Sequence, residues 1–172
     1  MKESERNEIL AFLQRGSTAL ADAVQDVSDE LAARIPGPGK WSILQCAEHV
    51  AITEEGLFSL ILASRLADAP QVNAEREAKI VARGADRSRR VESPEDVRPA
   101  GRFETLVQAF QHFLASRERT IEFAKTCDED LRARIAPHPL LGTVNCHEML
   151  LLMAAHPLRH ARQIEEIKAA LG

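Results

Sequence analysis

The chain has 172 residues, a hydrophobic content of 45% and a formal net charge of −4, a size that suits one domain over residues 1–172 with a sizeable core. The acidic balance gives no reason to expect nucleic acid or an anionic membrane surface as a partner. Since no apolar run reaches about 18 residues, no segment is expected to span a membrane.

The first predicted helix covers about Glu3–Ala33, and its start is too charged for a signal peptide. Its apolar residues recur at steps of three and four, which is typical of one buried helix face. These residues are Leu10, Leu13, Leu20, Val24, Val27 and Leu31. The Pro/Gly segment at 36–39 ends the helix.

A second helix is predicted to begin near Ser42, a suitable N-cap with Gln45 three residues later. Its apolar face contains Ile43, Ala47, Val50, Leu57, Phe58 and Ile61. His49 lies at the edge of that face. The side chain is therefore expected to point along the boundary between two helices.

Residues 67–101 are charged, contain several Pro and Gly residues and lack a clear period. A short helix is predicted over Asn73–Ala82, stopped by Gly84, and the rest is expected to form a long surface connection. The basic cluster at 87–90 (RSRR) is expected to be solvated surface, with an anion site as the alternative.

The third helix is predicted from about Phe103 to Cys127, with His112 off its buried stripe and exposed. The buried stripe is Leu106, Phe110, Phe113, Ile121 and Ala124. A Pro/Gly loop is expected up to Gly142, and a fourth helix begins near Asn145, which is followed by Glu148 in a capping-box pattern. Four long helices of this kind predict an all-α four-helix bundle.

The three cysteines are Cys46, Cys127 and Cys146, and they lack CxxC spacing. An odd number of scattered cysteines indicates reduced thiols rather than a disulfide framework. The chain is therefore expected in the cytoplasm, with Cys46 and Cys146 as small core residues.

Two histidines, His156 and His160, occupy the apolar stripe of the fourth helix, where a bundle normally has leucines. A buried imidazole needs a hydrogen-bond partner or a metal, and a spacing of four places both on one face. If the second and fourth helices are neighbours, His49 completes a three-histidine set for zinc or nickel with open coordination positions. Core histidines with hydrogen-bond partners, or a salt-bridged interface, are the alternatives. The pattern differs from HExxH, because Pro157 occupies the glutamate position.

Four segments together resemble the DinB/YfiT-like family. Residues 41–50 (WSILQCAEHV) resemble the entry to its second helix, and residues 156–164 (HPLRHARQI) resemble its C-terminal H-x-x-x-H-x-x-Q-I helix. Residues 98–103 (RPAGRF) and 138–143 (HPLLGT) are similar to loop segments of that family. The order and spacing of the segments cover nearly the whole chain.

This resemblance implies a bundle with a long connection between helices 2 and 3, often dimeric, with a metal on His49, His156 and His160. Because some relatives depend on mycothiol or bacillithiol, a low-molecular-weight thiol is a possible cofactor. The function expected is a metal-dependent hydrolase or thiol-dependent transferase acting on a small molecule, as a homodimer. The alternative is a non-catalytic scaffold or small-molecule binding protein with a structural or lost metal site.

Two polar residues are candidates to orient the histidines or a metal-bound water, Thr53 one turn after His49 and Gln163 one turn after His160. Pro157 differs from the family pattern, and it removes the backbone N–H that would bond to the Met153 carbonyl. A kink or a loosened turn is therefore expected beside the histidines.

Overall fold

The computed structural model describes residues 1–88 and 91–172. In this part of the chain the elements are α1 (Glu3–Val24), α2 (Asp29–Ala33), α3 (Ile43–Leu62), β1 (Arg65–Leu66), α4 (Ala74–Ala85), α5 (Leu106–Thr126), β2 (Arg134–His138), β3 (Gly142–Asn145) and α6 (Cys146–Leu171). Short 3-10 helices cover Glu95–Val97 and Leu131–Ala133. None of the described helices is both long and apolar enough to cross a bilayer.

The four long helices form a four-helix bundle, which confirms the predicted all-α fold. Helix α1 packs against α5 and α6, and α3 packs against the same two helices. Thus α1 and α3 lie diagonally opposite each other, as do α5 and α6. Helix α4 packs against α6 as an additional layer.

The hydrophobic core has two parts separated by a polar layer. One part lies toward the hairpin and includes Leu57 of α3 and Met153 of α6, and the other includes Val50 of α3 and Ile164 of α6. Polar side chains lie between these residues, Glu54 on α3 and His156 and His160 on α6, and His49 directly precedes Val50. The fold therefore places charged and titratable groups at the level where the two apolar clusters meet.

The single first helix predicted over Glu3–Ala33 is wrong, because α1 ends at Val24. Asp26 has a φ of 58°, a left-handed conformation that ends an α-helix. The side chain of Ser28 then accepts a hydrogen bond from the Leu31 backbone and starts α2. Val27 still packs against the core, which explains why the apolar period continues across the break.

The predicted stop at Gly84 is also wrong, since α4 continues through this glycine to Ala85. A Cβ built on Gly84 would lie 2.9 Å from the Ala155 Cβ of α6. The glycine thus permits close packing between two helices instead of ending one. The predicted start of this helix near Asn73 is confirmed, and the Asn73 side chain caps it by accepting a hydrogen bond from the Arg76 backbone N–H.

The predicted starts of α3 and α6 are confirmed by reciprocal capping-box hydrogen bonds. Ser42 and Gln45 form one box, and Asn145 and Glu148 form the other. The loop expected before α6 is instead a hairpin of β2 and β3, extended by β1 in the order β1-β2-β3. The His138 Nδ1 accepts the N–H groups of the two leucines in its turn, at 3.1 and 3.2 Å.

Two further expectations need correction. Helix α5 begins at Leu106 after the N-cap Thr105, and His112 is half-buried with its Nε2 3.2 Å from Glu55 Oε2. In the basic cluster at 87–90, Arg87 forms an ion pair with Glu166 at 2.7 Å. Arg89 and Arg90 lie outside the described residues.

Candidate metal centre

Three histidines from two helices meet in the polar layer of the bundle. The possible ligand atoms of His49, His156 and His160 lie within 4.8 Å of one another. The Nε2 of His156 is 3.2 Å from Nε2 of His49 and 3.0 Å from Nε2 of His160. Two ligand bonds of about 2.0 Å at a tetrahedral ion separate the nitrogens by about 3.3 Å. Both short separations are therefore close to the spacing of ligands on one ion.

The helix geometry explains why the three histidines converge. His156 and His160 are one turn apart on α6, and α3 lies beside α6 in the bundle. The Trp41 ring, directly before the α3 cap, covers the cluster with ring centroids 4.9 Å from His49 and 6.4 Å from His160. The indole thus shields the imidazoles on one side.

A backbone carbonyl sets the tautomer of His49. The His49 Nδ1 lies 2.7 Å from the carbonyl oxygen of Val97, in the 3-10 helix before α5. A carbonyl can only accept, so Nδ1 bears the hydrogen and Nε2 presents its lone pair to the other two imidazoles. This is how many metal-binding histidines are oriented.

The neutral cluster cannot satisfy both short Nε2 contacts with hydrogen bonds. His49 Nε2 is an acceptor, so a hydrogen on His156 Nε2 can be donated to His49 or to His160 but not to both. If His160 Nε2 has the hydrogen instead, the Nε2 lone pairs of His49 and His156 face each other. Burial, followed by the charge of the neighbouring imidazole, lowers the pKa of His156 and His160 well below the ordinary value. Burial also lowers the pKa of His49. Because protonation is disfavoured, the donor set fits a cation bound to the three Nε2 atoms.

Of the two predicted orienting residues, one reaches the cluster. Thr53 Oγ1 is 3.5 Å from His49 Nδ1, at the limit of a hydrogen bond and farther than the Val97 carbonyl. Gln163 lines the adjoining cavity without a hydrogen bond to a histidine in the described ranges. Within the same ranges, the buried Nδ1 of His160 has no partner.

The loosened turn that was expected at Pro157 is not present. Helix α6 is α-helical from Cys146 to Leu171, so the turn before the proline is not lost. The Met153 carbonyl instead accepts a hydrogen bond from Arg117 NH2 at 2.7 Å. A side chain of α5 replaces the missing backbone donor.

The cluster opens into a cavity of about 1020 Å³ between α3, α4, α6, the hairpin and residues 91–98. His49, His156 and His160 all lie in its wall, together with Arg159, which is 8% exposed. Cys46 is not among the lining residues and is buried in the core, where burial raises the pKa of its thiol to about 12. It is thus a core residue, as expected, and a poor nucleophile or ligand.

Glu48, next to His49 on α3, anchors the segment that follows Val97. Its Oε1 accepts the backbone N–H groups of Ala100 and Arg102, at 2.8 and 3.0 Å. These bonds fasten the segment after Val97 to α3. Neither the Val97 carbonyl nor this anchor was predicted from the sequence, although Glu48 directly precedes His49.

Comparison with known proteins gives a family and a fold. The model of the DinB superfamily matches residues 13–164. Among solved structures, YfiT from Bacillus subtilis, described as a probable metal-dependent hydrolase with an unusual four-helix bundle topology, matches with a TM-score of 0.62. The two chains are 14% identical, and the match covers 100% of this chain and 90% of that chain. No curated protein matches the sequence.

Proposed function

The chain belongs to the DinB superfamily, and on that basis we propose that it is a metal-dependent hydrolase that acts on a small molecule. It would hold a divalent ion, zinc or nickel, on His49, His156 and His160. The convergence of three Nε2 atoms in a cavity wall, with His49 oriented by the Val97 carbonyl, is the observation that supports this function. The description of YfiT as a probable metal-dependent hydrolase agrees with it.

Three imidazoles leave coordination positions open on a divalent ion, which distinguishes catalytic from structural sites. Such an ion lowers the pKa of a bound water or thiol and so supplies a nucleophile near neutral pH. The chain itself contributes the fixed tautomer of His49, the Trp41 ring that keeps water from one side, and the cavity that receives the substrate. Thr53 Oγ1, 3.5 Å from His49 Nδ1, would be a second and weaker partner for the same nitrogen.

Thiol-dependent transfer is the second candidate, and the size of the cavity favours it. About 1020 Å³ is at the upper end of the range for small-molecule sites, so a low-molecular-weight thiol fits beside a substrate. A cytoplasmic location is part of the same proposal, since a thiol cofactor and three free cysteines suit a reducing compartment.

Metal analysis tests the proposal directly. Untagged protein, purified without a nickel column, is expected to contain close to one equivalent of metal by mass spectrometry. His156→Ala should lose most of it, while His112→Ala should retain it, because His112 contacts Glu55 outside the cluster. Equal metal content in both variants would refute the ligand assignment.

A cobalt-loaded sample separates an enzyme from a scaffold. We expect low-molecular-weight thiols or carboxylates to shift the visible spectrum in a saturable way, because an open position exchanges its ligand. A loaded sample that responds to no small ligand would have a closed site. The metal would then be a structural link between α3 and α6, and the scaffold alternative would replace the hydrolase.

A further inference from the structure

Two backbone N–H groups converge on one oxygen of a buried carboxylate. Ala100 and Arg102 both donate to Oε1 of Glu48, which is 2% exposed. The residue between the two donors, Gly101, has a φ of 79°, a left-handed conformation that turns both N–H groups the same way. Residues 100–102 therefore form a backbone turn that binds an anion, and the anion is a side chain of α3.

The same segment contains the carbonyl that orients His49. Val97 precedes Ala100 by three residues, and its carbonyl oxygen lies 2.7 Å from His49 Nδ1. Pro99 has a restricted φ, and Arg98 before it has a φ of −72° and a ψ of 142°, the extended conformation that a following proline favours. Because this short link is stiff, fixing its far end also fixes the carbonyl. Two successive residues of α3 thus contact the two ends of one segment.

Other polar contacts of the segment are less able to hold it in place. The Arg102 guanidinium forms an ion pair with Glu55 at 2.8 Å, but the two side chains are 47% and 36% exposed. Exposed ion pairs contribute little, since water solvates both partners. Arg98 Nε donates to the Ser93 carbonyl, which is close by in the chain and does not join the segment to a bundle helix. Among the described residues, Glu48 is therefore the buried polar anchor.

The position of the Val97 carbonyl matters because it determines which nitrogen of His49 has the hydrogen. Without an acceptor at Nδ1, a neutral imidazole is free to place its hydrogen on Nε2. That atom faces His156 Nε2 at 3.2 Å, and with a hydrogen on it no lone pair is left for a cation. Thr53 Oγ1, at 3.5 Å from Nδ1, is too distant to replace the carbonyl in full.

We propose that Glu48 is a positioning residue for the metal centre. Through the backbone of residues 97–102 it keeps the Val97 carbonyl at His49 Nδ1, and so keeps the Nε2 lone pair available to the ion. Glu48 does not bind the ion itself, because its carboxylate faces the backbone turn. The role at the ion rests on the proposed function, whereas the tautomer of His49 is a property of the metal-free chain and can be measured without it.

The first measurement is nuclear magnetic resonance of metal-free protein with isotopically labelled imidazole nitrogens, whose shifts give the tautomer of each neutral ring. His49→Gln assigns the resonances. The wild type should have the His49 hydrogen on Nδ1, and Glu48→Ala should transfer part of the population to Nε2. Glu48→Gln keeps an oxygen acceptor and should recover most of the wild-type pattern. A wild type with the hydrogen on Nε2 would overturn the proposal.

Zinc affinity, measured by competition with a chelator, is the second readout. Glu48→Ala should bind zinc about tenfold more weakly than the wild type, and Glu48→Gln should recover most of the affinity. The matched control is Glu55→Ala, which removes the exposed ion pair of the same segment and should change neither the tautomer nor the affinity. An equal loss in Glu55→Ala would show that the buried carboxylate has no special role.

Gly101→Ala tests the same link from the other side and keeps the test available if Glu48→Ala does not fold. A Cβ at Gly101 would meet nothing within 4 Å, so its effect comes from strain at the left-handed φ rather than from a clash. The His49 tautomer and the zinc affinity should change in the same direction as in Glu48→Ala, by a smaller amount, with an unchanged circular dichroism spectrum. If folded Glu48 and Gly101 variants both keep the wild-type tautomer and affinity, the proposal fails and the proposed hydrolase stands. If the wild type binds no zinc, the proposed hydrolase fails, and the tautomer alone decides whether Glu48 positions His49.

Discussion

The Arg117 guanidinium donates to the Met153 carbonyl at 2.7 Å, and this is the carbonyl that Pro157 leaves without its helical partner. The same side chain makes two hydrogen bonds to the Glu54 carboxylate, at 2.7 and 2.8 Å, and one to the Leu13 carbonyl at 2.8 Å. One buried guanidinium on α5 thus joins α1, α3 and α6. It stabilises the turn of α6 that leads into the histidines.

Replacing Arg117 with methionine should destabilise the protein strongly. Glu54 is 2% exposed and would lose its charged partner, which costs about 3–5 kcal/mol in the free energy of unfolding. Urea unfolding followed by circular dichroism measures the loss. The control is Arg119→Met on the same helix, where the side chain is exposed and the change should stay within about 0.5 kcal/mol. Similar stability of the two variants would contradict the assignment.

A double-mutant cycle isolates the contribution of the Met153 carbonyl. Pro157→Ala restores a backbone N–H that can bond to this carbonyl. The loss caused by Arg117→Met should then be smaller by about 1 kcal/mol in the Pro157→Ala background. Identical losses in both backgrounds would mean that the bond to Met153 adds no stability.

Gly16 is predicted to control how closely α1 approaches α6. A Cβ built on Gly16 would lie 2.5 Å from the Ala154 carbonyl oxygen, so Gly16→Ala should lower the free energy of unfolding by about 1–3 kcal/mol. The matched control is Gly56→Ala in α3, where nothing lies within 4 Å. There alanine should raise stability by up to about 1 kcal/mol. Thermal unfolding of the pair checks the opposite signs, and the same sign for both would disprove the steric explanation.

Stability should fall in mild acid partly because of His147. Its Nε2 lies 2.9 Å from Arg132 NH2, so the bonded form is neutral. Burial and then the Arg132 charge lower the His147 pKa in the folded protein, only partly offset by Glu77 and Glu5. As the pH falls below the ordinary histidine pKa of about 6.5, His147 is therefore protonated in the unfolded chain before it is protonated in the folded protein. The free energy of unfolding consequently decreases as the pH falls.

The measurement for His147 is urea unfolding of metal-free protein between neutral and mildly acidic pH. His147→Gln should show a shallower decrease, with part of the slope retained because burial also lowers the pKa of the clustered histidines. An unchanged slope in this variant would show that His147 does not contribute.

We propose that the chain forms a homodimer through the outer face of α5. Val107 and Leu114 are 59% and 40% exposed and lie two turns apart, with half-buried Phe110 between them. Light scattering at micromolar concentration should give twice the mass of the 19.0 kDa chain. Leu114→Glu should give the single mass, whereas Leu62→Glu at the end of α3 should not. A wild type at 19.0 kDa would rule out the dimer.

The sequence predicted those features that depend on local patterns. The capping boxes at Ser42 and Asn145 each need only four consecutive residues, and the pair of histidines on α6 needs one helical turn. The bundle and the third histidine, His49, required the apolar periods together with the family resemblance. Such features are predictable because they depend either on residues a few positions apart or on a pattern repeated over many residues.

Features that depend on tertiary contacts were not predictable. Local sequence rules predict that Gly84 ends a helix, but in the structure Gly84 lies inside α4, where it permits close contact with Ala155. The Val97 carbonyl has no side-chain signal, and its position depends on how the segment before α5 is anchored. Arg117 is fully buried on a face predicted from apolar residues alone, because its partner Glu54 is distant in sequence.

The order of the helices along the chain also determines when the histidine cluster can form during synthesis. His49 lies on α3, while His156 and His160 lie on α6, which follows all the other bundle helices. A growing chain therefore exposes the apolar faces of α1, α3 and α5 before the final wall of the cluster exists. The imidazoles meet only after α6 has left the ribosome and packed into place. An ion held by all three histidines can consequently be bound only once α6 has been made and packs against α3.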